Sequence, residues 1–416
     1  MKTLARIFSI FSAGFSLLAL TRTPERLSFK LIGLKLLAGG FSPFLILAGA
    51  VGTLLGLKQG DRLATRAGML GTSLALHHLT RVTRSNHAIQ DTFGQDWDRK
   101  ISPELRSKFN QRRYTPFPSR PAPIACEHDL VFATHHETGA PLLADLWQPA
   151  PGVKQSGLGI IYLHGSGWHY LDKGYHTRHI FQYLAGQGHV ILDVAYTLAP
   201  AAQLPAMLAD VRRAIIWMKN KPGINPERVV LMGGSAGAHL ALLSAYTSDL
   251  PIYQTPDTNG CDTSVRGVVS YYGVIDLVSE HKRLLHIPLG GATWQRLLTH
   301  LEVLIPGKQV FTPAELLPSL MGGSPDQVPE LYRQGSPITH VGPHCPPTLL
   351  LAGEHDFAVD IDQDRRLHTA LKAAGAQTVF IKLPYTEHVF DLFFPPWSPA
   401  YQTALYDVER FLALLV

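Results

Sequence analysis

The chain has 416 residues, of which 46% are hydrophobic and 17% charged, with a formal charge of +5. That balance excludes a disordered or fibrous protein. Lys and Arg gather before residue 121 instead of striping a folded domain, which argues against nucleic acid as a partner. Three cysteines, Cys126, Cys261 and Cys345, lie far apart with no C-x-x-C pair, so neither a disulfide framework nor a metal site is implied.

In chain order, residues 7–20 form an apolar run behind Lys2 and Arg6, similar to the basic start and apolar centre of a signal peptide. No small-x-small cleavage site precedes Thr21, and a second apolar run follows, so two antiparallel helices are the simpler expectation. Residues 36–57 carry no charge, a length sufficient to span a bilayer. Residues 67–76 add a shorter apolar element. Arg22, Arg26, Lys30 and Lys35 sit between the first two runs, where cations meet anionic headgroups. Residues 1–85 are therefore expected to be an integral membrane segment with lipid as partner, its orientation left open by basic residues on both sides.

Residues 86–127 turn polar and then proline-rich, with Pro116, Pro118, Pro121 and Pro123, and are expected to be a semi-rigid linker. From 128 to 416 short β-rich runs alternate with helical stretches, the pattern of an α/β domain with a mostly parallel sheet flanked by helices. Strands are expected at 129–133 and 142–147 as a hairpin, then at 159–163, 189–194, 229–232, 267–271, 347–351 and 378–383. Between them, Met207, Val211, Ala214, Ile215 and Met218 recur at helical spacing, the stripe of a helix lying on a sheet.

The chemistry gathers at strand ends. Val229–Met232 runs into Gly233-Gly234-Ser235-Ala236-Gly237 and a helical stretch, a G-x-S-x-G turn that lifts a serine hydroxyl above the sheet at a helix N-terminus. After the strand at 159–163 comes His164-Gly165-Ser166-Gly167-Trp168, a loop able to turn amides toward a developing oxyanion. A serine hydroxyl needs a base and a group to orient it, in the order Ser, acid, His. Asp356 lies just past the strand at 347–351, with Asp360 as runner-up. His388 lies past the last strand, with His355 and His344 as competitors.

With these positions in view, residues 129–416 resemble the α/β-hydrolases of the hormone-sensitive-lipase and carboxylesterase-like group. His164-Gly165-Ser166-Gly167-Trp168 is similar to that group's HGGGW loop, with Ser166 in place of the middle glycine. Gly233-Gly234-Ser235-Ala236-Gly237 resembles its nucleophile elbow. The resemblance implies a triad of Ser235, Asp356 and His388, and oxyanion donors at the backbone of Ser166, Gly167 and Ala236. Residues 276–325, too long for a simple connection, are expected to form a cap. Its apolar residues, among them Leu284, Ile287, Leu289, Trp294, Leu301, Ile305 and Phe311, would suit an acyl chain or would pack the cap onto the core.

The expected function is hydrolysis of a small-molecule carboxylic ester, apolar or membrane-derived, with no metal and no organic cofactor required. The same groups would serve an amide, formamide or peptide. A membrane-anchored binding protein without chemistry is the reading from a different class.

Overall fold

The computed structural model describes the chain apart from residues 119, 136, 137, 288–294, 297, 298 and 300–308. Four helices come first: α1 (Lys2–Leu20), α2 (Glu25–Gly40), α3 (Ser42–Lys58) and α4 (Arg62–Val82). Their packing inverts the rule of soluble bundles. Ala5, Ser9, Ser12, Ser16 and Ala19 of α1 face Gly49, Gly52 and Gly56 of α3 and Gly68, Gly71 and Ala75 of α4, all buried. The large apolar side chains Ile7, Ile10, Leu17, Leu47, Leu54, Leu57, Met69 and Leu70 point outward. Small residues let backbones approach closely, and a Cβ on Gly49 would lie 2.5 Å from Thr72 Oγ1 and 2.7 Å from Ser12 Oγ.

The uncharged stretch 36–57 is not one helix, contrary to its composition. It breaks at Phe41, where α2 and α3 meet at 73°. Pro43, in the first turn of α3, supplies the reason: it has no N–H to continue the ladder of α2 and its ring would crowd the carbonyl a turn earlier, whereas at a helix start neither is a cost. By length and composition α1 is a candidate span, and the bent pair is a candidate broken span.

The residues expected to be a linker carry structure. Helices α5 (Ala88–Phe93) and α6 (Pro103–Arg106) flank a short 3-10 turn. Phe93 and Trp97 pack on the hydrolase core, while Ile101, Leu105 and Phe109 cluster with Ala413. Arg113 completes the attachment with a two-pronged pair to buried Asp407 at 2.6 and 2.7 Å.

Eight strands then form one sheet: β1 (Ile124–Thr134), β2 (Pro141–Pro149), β3 (Gly159–Leu163), β4 (Val190–Val194), β5 (Val229–Gly234), β6 (Gly267–Tyr271), β7 (Thr348–Gly353) and β8 (Thr378–Leu383). Their order is β1-β2-β4-β3-β5-β6-β7-β8. β2 pairs antiparallel with β1 and β4, and the pairs from β4 through β8 are parallel. Strands 3 to 6 are buried throughout, as a sheet covered on both faces requires.

Alternation along β3 divides the core. Ile161 and Leu163 face α8 (Leu204–Lys219), α9 (Ala236–Tyr246) and α13 (Ile361–Ala373), whereas Ile160 and Tyr162 face α7 (Arg178–Gly186) and α14 (Pro399–Ala413). Between β6 and β7 lie α10 (Leu277–Leu285), α11 (Pro313–Met321) and α12 (Pro329–Gln334). Phe311 and Leu316 pack against Tyr170 and Leu171, so this insertion sits on the loop that follows β3. Leu289, Trp294, Leu301 and Ile305 fall outside the described residues.

Candidate active site

Ser235 lies between β5 and α9, as the cap residue of the helix, with φ 54° and ψ −120°, a backbone conformation that residues other than glycine rarely adopt. The turn holds because its neighbours are small. A Cβ on Gly237 would lie 2.0 Å from the Leu163 carbonyl oxygen, so only glycine lets α9 start this close to β3. The Ser235 N–H donates to the Tyr271 carbonyl at 2.9 Å, tying the strained residue to β6.

His388 and Asp356 arrive from the loops after β8 and β7. His388 Nε2 lies 3.2 Å from Ser235 Oγ, and its Nδ1 lies 2.7 Å from Asp356 Oδ2. The other Asp356 oxygen accepts the N–H groups of Ala358 and Val359 at 2.8 and 2.9 Å, which fixes the orientation of the carboxylate. The three side chains foreseen in sequence are thus in one hydrogen-bonded line. The alternatives are elsewhere: Asp360 caps α13 through the Asp362 N–H, His344 reaches the Tyr246 carbonyl, and His355 packs on Tyr385.

The loop after β3 crosses directly over Ser235, since a Cβ on Gly165 would meet the Gly234 oxygen at 2.9 Å and Ser235 Cβ at 3.3 Å. Ser166, Gly167 and Trp168 all have positive φ, at 90°, 63° and 64°. For Ser166 that is the strained region a glycine would occupy freely. Its hydroxyl donates to the Tyr170 carbonyl and so closes the turn from within. Ser166 and Gly167 line the pocket around Ser235, and Ala236 is buried as the first residue of α9.

The pocket wall is largely apolar. Leu171, Val274, Leu284, Ile287, Leu316, Val389 and Leu392 line it, together with Ile32 and Leu36 of α2. Leu284, Ile287 and Leu316 come from the insertion, which therefore both packs on the core and faces the pocket.

Two buried carboxylates beside His388 were not foreseen. Asp391 accepts a hydrogen bond from the Tyr272 hydroxyl, and the Tyr272 ring lies 4.4 Å from the His388 ring. Burial pushes Asp391 up to about 6 and the phenol well above its usual range. Glu387 pairs with Lys35 of α2, both nearly inaccessible, and burial pushes its carboxyl up to about 7 against the pull of that lysine. Asp391 stands three positions past His388 in the same turn-rich loop, a proximity visible in sequence; the Lys35 pairing has no local signature.

Among the described residues no group of three or more His, Cys, Asp or Glu side chains is placed to hold a metal ion. A strained serine at a strand-to-helix turn, a histidine between it and a carboxylate, and a tight loop above it can together carry out acyl transfer.

This arrangement on a mostly parallel, helix-flanked sheet defines an α/β-hydrolase. Esterase 2 of Thermogutta terrifontis, solved phosphonylated by sarin, superposes with a TM-score of 0.52 at 21% identity, covering 70% of this chain and 94% of that one. Esterase LipQ of Mycobacterium tuberculosis is 30% identical over 347 residues, 80% of this chain and 75% of the relative. The probable carboxylic ester hydrolase LipM of the same organism is 30% identical over 275 residues, 65% of this chain and 57% of that relative. The BD-FAE family matches residues 144–371, and the chain belongs to this family of α/β-hydrolases and is a carboxylic ester hydrolase.

Proposed function

We propose that the enzyme cleaves apolar, membrane-derived esters through a Ser235–His388–Asp356 triad while α1 to α4 hold it in a bilayer. The observation that carries this reading is the line from Ser235 Oγ through His388 to Asp356 beneath a largely apolar pocket. Ser235 Oγ attacks the ester carbonyl as its proton passes to His388 Nε2. Asp356 stays ionised and stabilises the resulting imidazolium. Backbone amides of Ser166, Gly167 and Ala236 receive the oxyanion. Collapse breaks the ester C–O bond, and the alcohol leaves with the proton from Nε2. Water, deprotonated by His388, then attacks the acyl-enzyme and releases the acid.

The inverted bundle supports the membrane assignment. In water, a face of exposed Ile7, Ile10, Leu47, Leu54 and Met69 over a small-residue interior would drive association. In hydrocarbon, close backbone packing inside and large apolar side chains outside is the stable arrangement. At 19 residues α1 is about 28 Å long, close to the thickness of a bilayer core.

The test is hydrolysis of chromogenic esters and matched anilides by detergent-solubilised protein, with Ser235→Ala and His388→Ala in parallel. Ester turnover that falls on the order of 10⁴-fold or more in both variants is expected. Turnover surviving in Ser235→Ala would overturn the site, and turnover of anilides alone would overturn the ester preference.

A further inference from the structure

Of the four N-terminal helices, α2 reaches the pocket of the hydrolase. Ile32 and Leu36 lie one turn apart on it, both buried, and line the space above Ser235 and His388 beside Val389 and Leu392. Between them in sequence, Lys35 turns to the loop after β8 and pairs with Glu387, the residue before His388. The side chains are 2% and 3% exposed, and Lys35 also lies 3.3 Å from Thr23 Oγ1. Further contacts join the same surfaces: the Phe41 ring meets Phe394 edge-on at 4.7 Å, and His77 reaches the Tyr385 hydroxyl at 3.2 Å.

A buried ion pair contributes little net stability, because the loss of hydration offsets the attraction. What it supplies is position, since either charge left alone in that interior would be costly. His355, beside Lys35 in this interface, does not compete for Glu387: burial first, then the lysine charge, bring it down to about 4, so it is neutral near pH 7. The lysine and the carboxylate therefore specify how α2 sits against the backbone that carries His388.

We propose that α2 is part of the active site. Lys35 is a positioning residue that holds the His388 loop through Glu387, and Ile32 and Leu36 are specificity-determining residues that meet the apolar part of the ester. This rests on the esterase reading and deepens it: the substrate is an acyl lipid whose chain lies along α2, on the side of the bundle, and a short water-soluble ester fills the pocket only in part.

The experiment uses the full chain in detergent, with Lys35→Met, Lys35→Met/Glu387→Gln and Leu36→Trp. Three quantities are read: the rate at which a fluorophosphonate labels Ser235, kcat and KM on butyryl and dodecanoyl chromogenic esters, and the unfolding temperature. The double variant removes both charges and so removes the cost of a lone one. It should regain the parental unfolding temperature while labelling and kcat stay about tenfold or more below the parent and KM moves little, as misplacement of a catalytic group predicts. Leu36→Trp should lower the dodecanoyl-to-butyryl ratio of kcat/KM about tenfold, within the range that pocket shape provides. A double variant that labels and turns over at the parental rate overturns the role of Lys35, and an unchanged ratio overturns the role of Leu36. If the parent cleaves no ester, the esterase reading fails, while the labelling rates still decide on Lys35.

Discussion

The Trp168 indole N–H donates to His239 Nδ1 at 3.2 Å, joining the loop above Ser235 to the helix that starts there. His239 Nε2 is committed to the Gly335 carbonyl at 2.7 Å, and burial brings the ring down to about 4, so it stays neutral and keeps a lone pair for Trp168. Trp168→Phe keeps an aromatic ring but leaves a buried acceptor unpaired, a loss of about 1–3 kcal/mol. The unfolding temperature should fall, and kcat should fall about tenfold or more with little change in KM, because the loop loses its register over Ser235. Steady-state kinetics check this, and an unaltered kcat would show that the loop holds itself.

Asp356 and Asp360 are close in sequence but separated in role. Asp356→Asn keeps the shape and removes the charge facing His388, so kcat should drop by a factor of about 10⁴. Asp360→Ala removes only the cap of α13, costing about 1 kcal/mol of stability while leaving turnover near the parent's. Comparable losses of turnover in the two variants would reopen the choice between them.

Gly237→Ala tests the close approach of α9 to β3. A methyl group 2.0 Å from the Leu163 oxygen forces helix and strand apart, with overpacking of about 3 kcal/mol or more. Loss of folded protein, or a large drop in unfolding temperature, is expected; normal stability would mean that the turn can open.

Asp193 on β4 gives a pH signature. Burial pushes its carboxyl up to about 8, despite the Gly174 N–H that it accepts at 2.7 Å. The unfolded chain releases this proton near 3.8. Between these values the folded state binds more protons than the unfolded one, so this group's contribution to stability declines as pH rises toward 8. Asp193→Asn is uncharged throughout. Its unfolding temperature relative to the parent should therefore climb between pH of about 5 and about 8. Thermal melts at several pH values decide, and a constant difference would mean that Asp193 is charged in the fold.

Gly49→Leu probes the bundle. The added side chain meets Ser12 and Thr72 at once, so α1, α3 and α4 should separate and detergent-solubilised protein should unfold at lower temperature. Leu54→Ala, on the outward face, should leave that temperature within a degree or two, since deletion there opens no cavity. Equal effects would mean that the large residues face inward.

The sheet and the line through Ser235, His388 and Asp356 were legible because their signals are local. Strand periodicity, the G-x-S-x-G turn and titratable residues just past strand ends each lie within a few positions of one another. Ser166 was legible by position but not by conformation, since its strained backbone depends on the Tyr170 carbonyl that closes the loop. The break at Phe41 is hidden because the Gly and Pro of residues 36–57 are tolerated inside a membrane helix, so Pro43 alone does not mark a helix start. Polar composition also hid the docking of residues 88–113, although Phe93, Trp97, Ile101, Leu105 and Phe109 repeat at helical spacing. The Lys35–Glu387 pair joins distant parts of the chain, and nothing near either residue announces the other.

The attachment of residues 101–113 to α14 bears on how the chain is made. Arg410 donates to the Asn110 carbonyl and Asp407 receives Arg113, partners about 300 positions apart. At ribosomal speeds of about 5–20 residues per second, the earlier partner emerges roughly 15–60 s before the later one. Throughout that interval the apolar side chains Ile101, Leu105 and Phe109 have no α14 to cover them. On the membrane reading proposed above, the four helices ahead of them would enter a bilayer in that interval, so that the hydrolase would fold on a chain already tethered at its start.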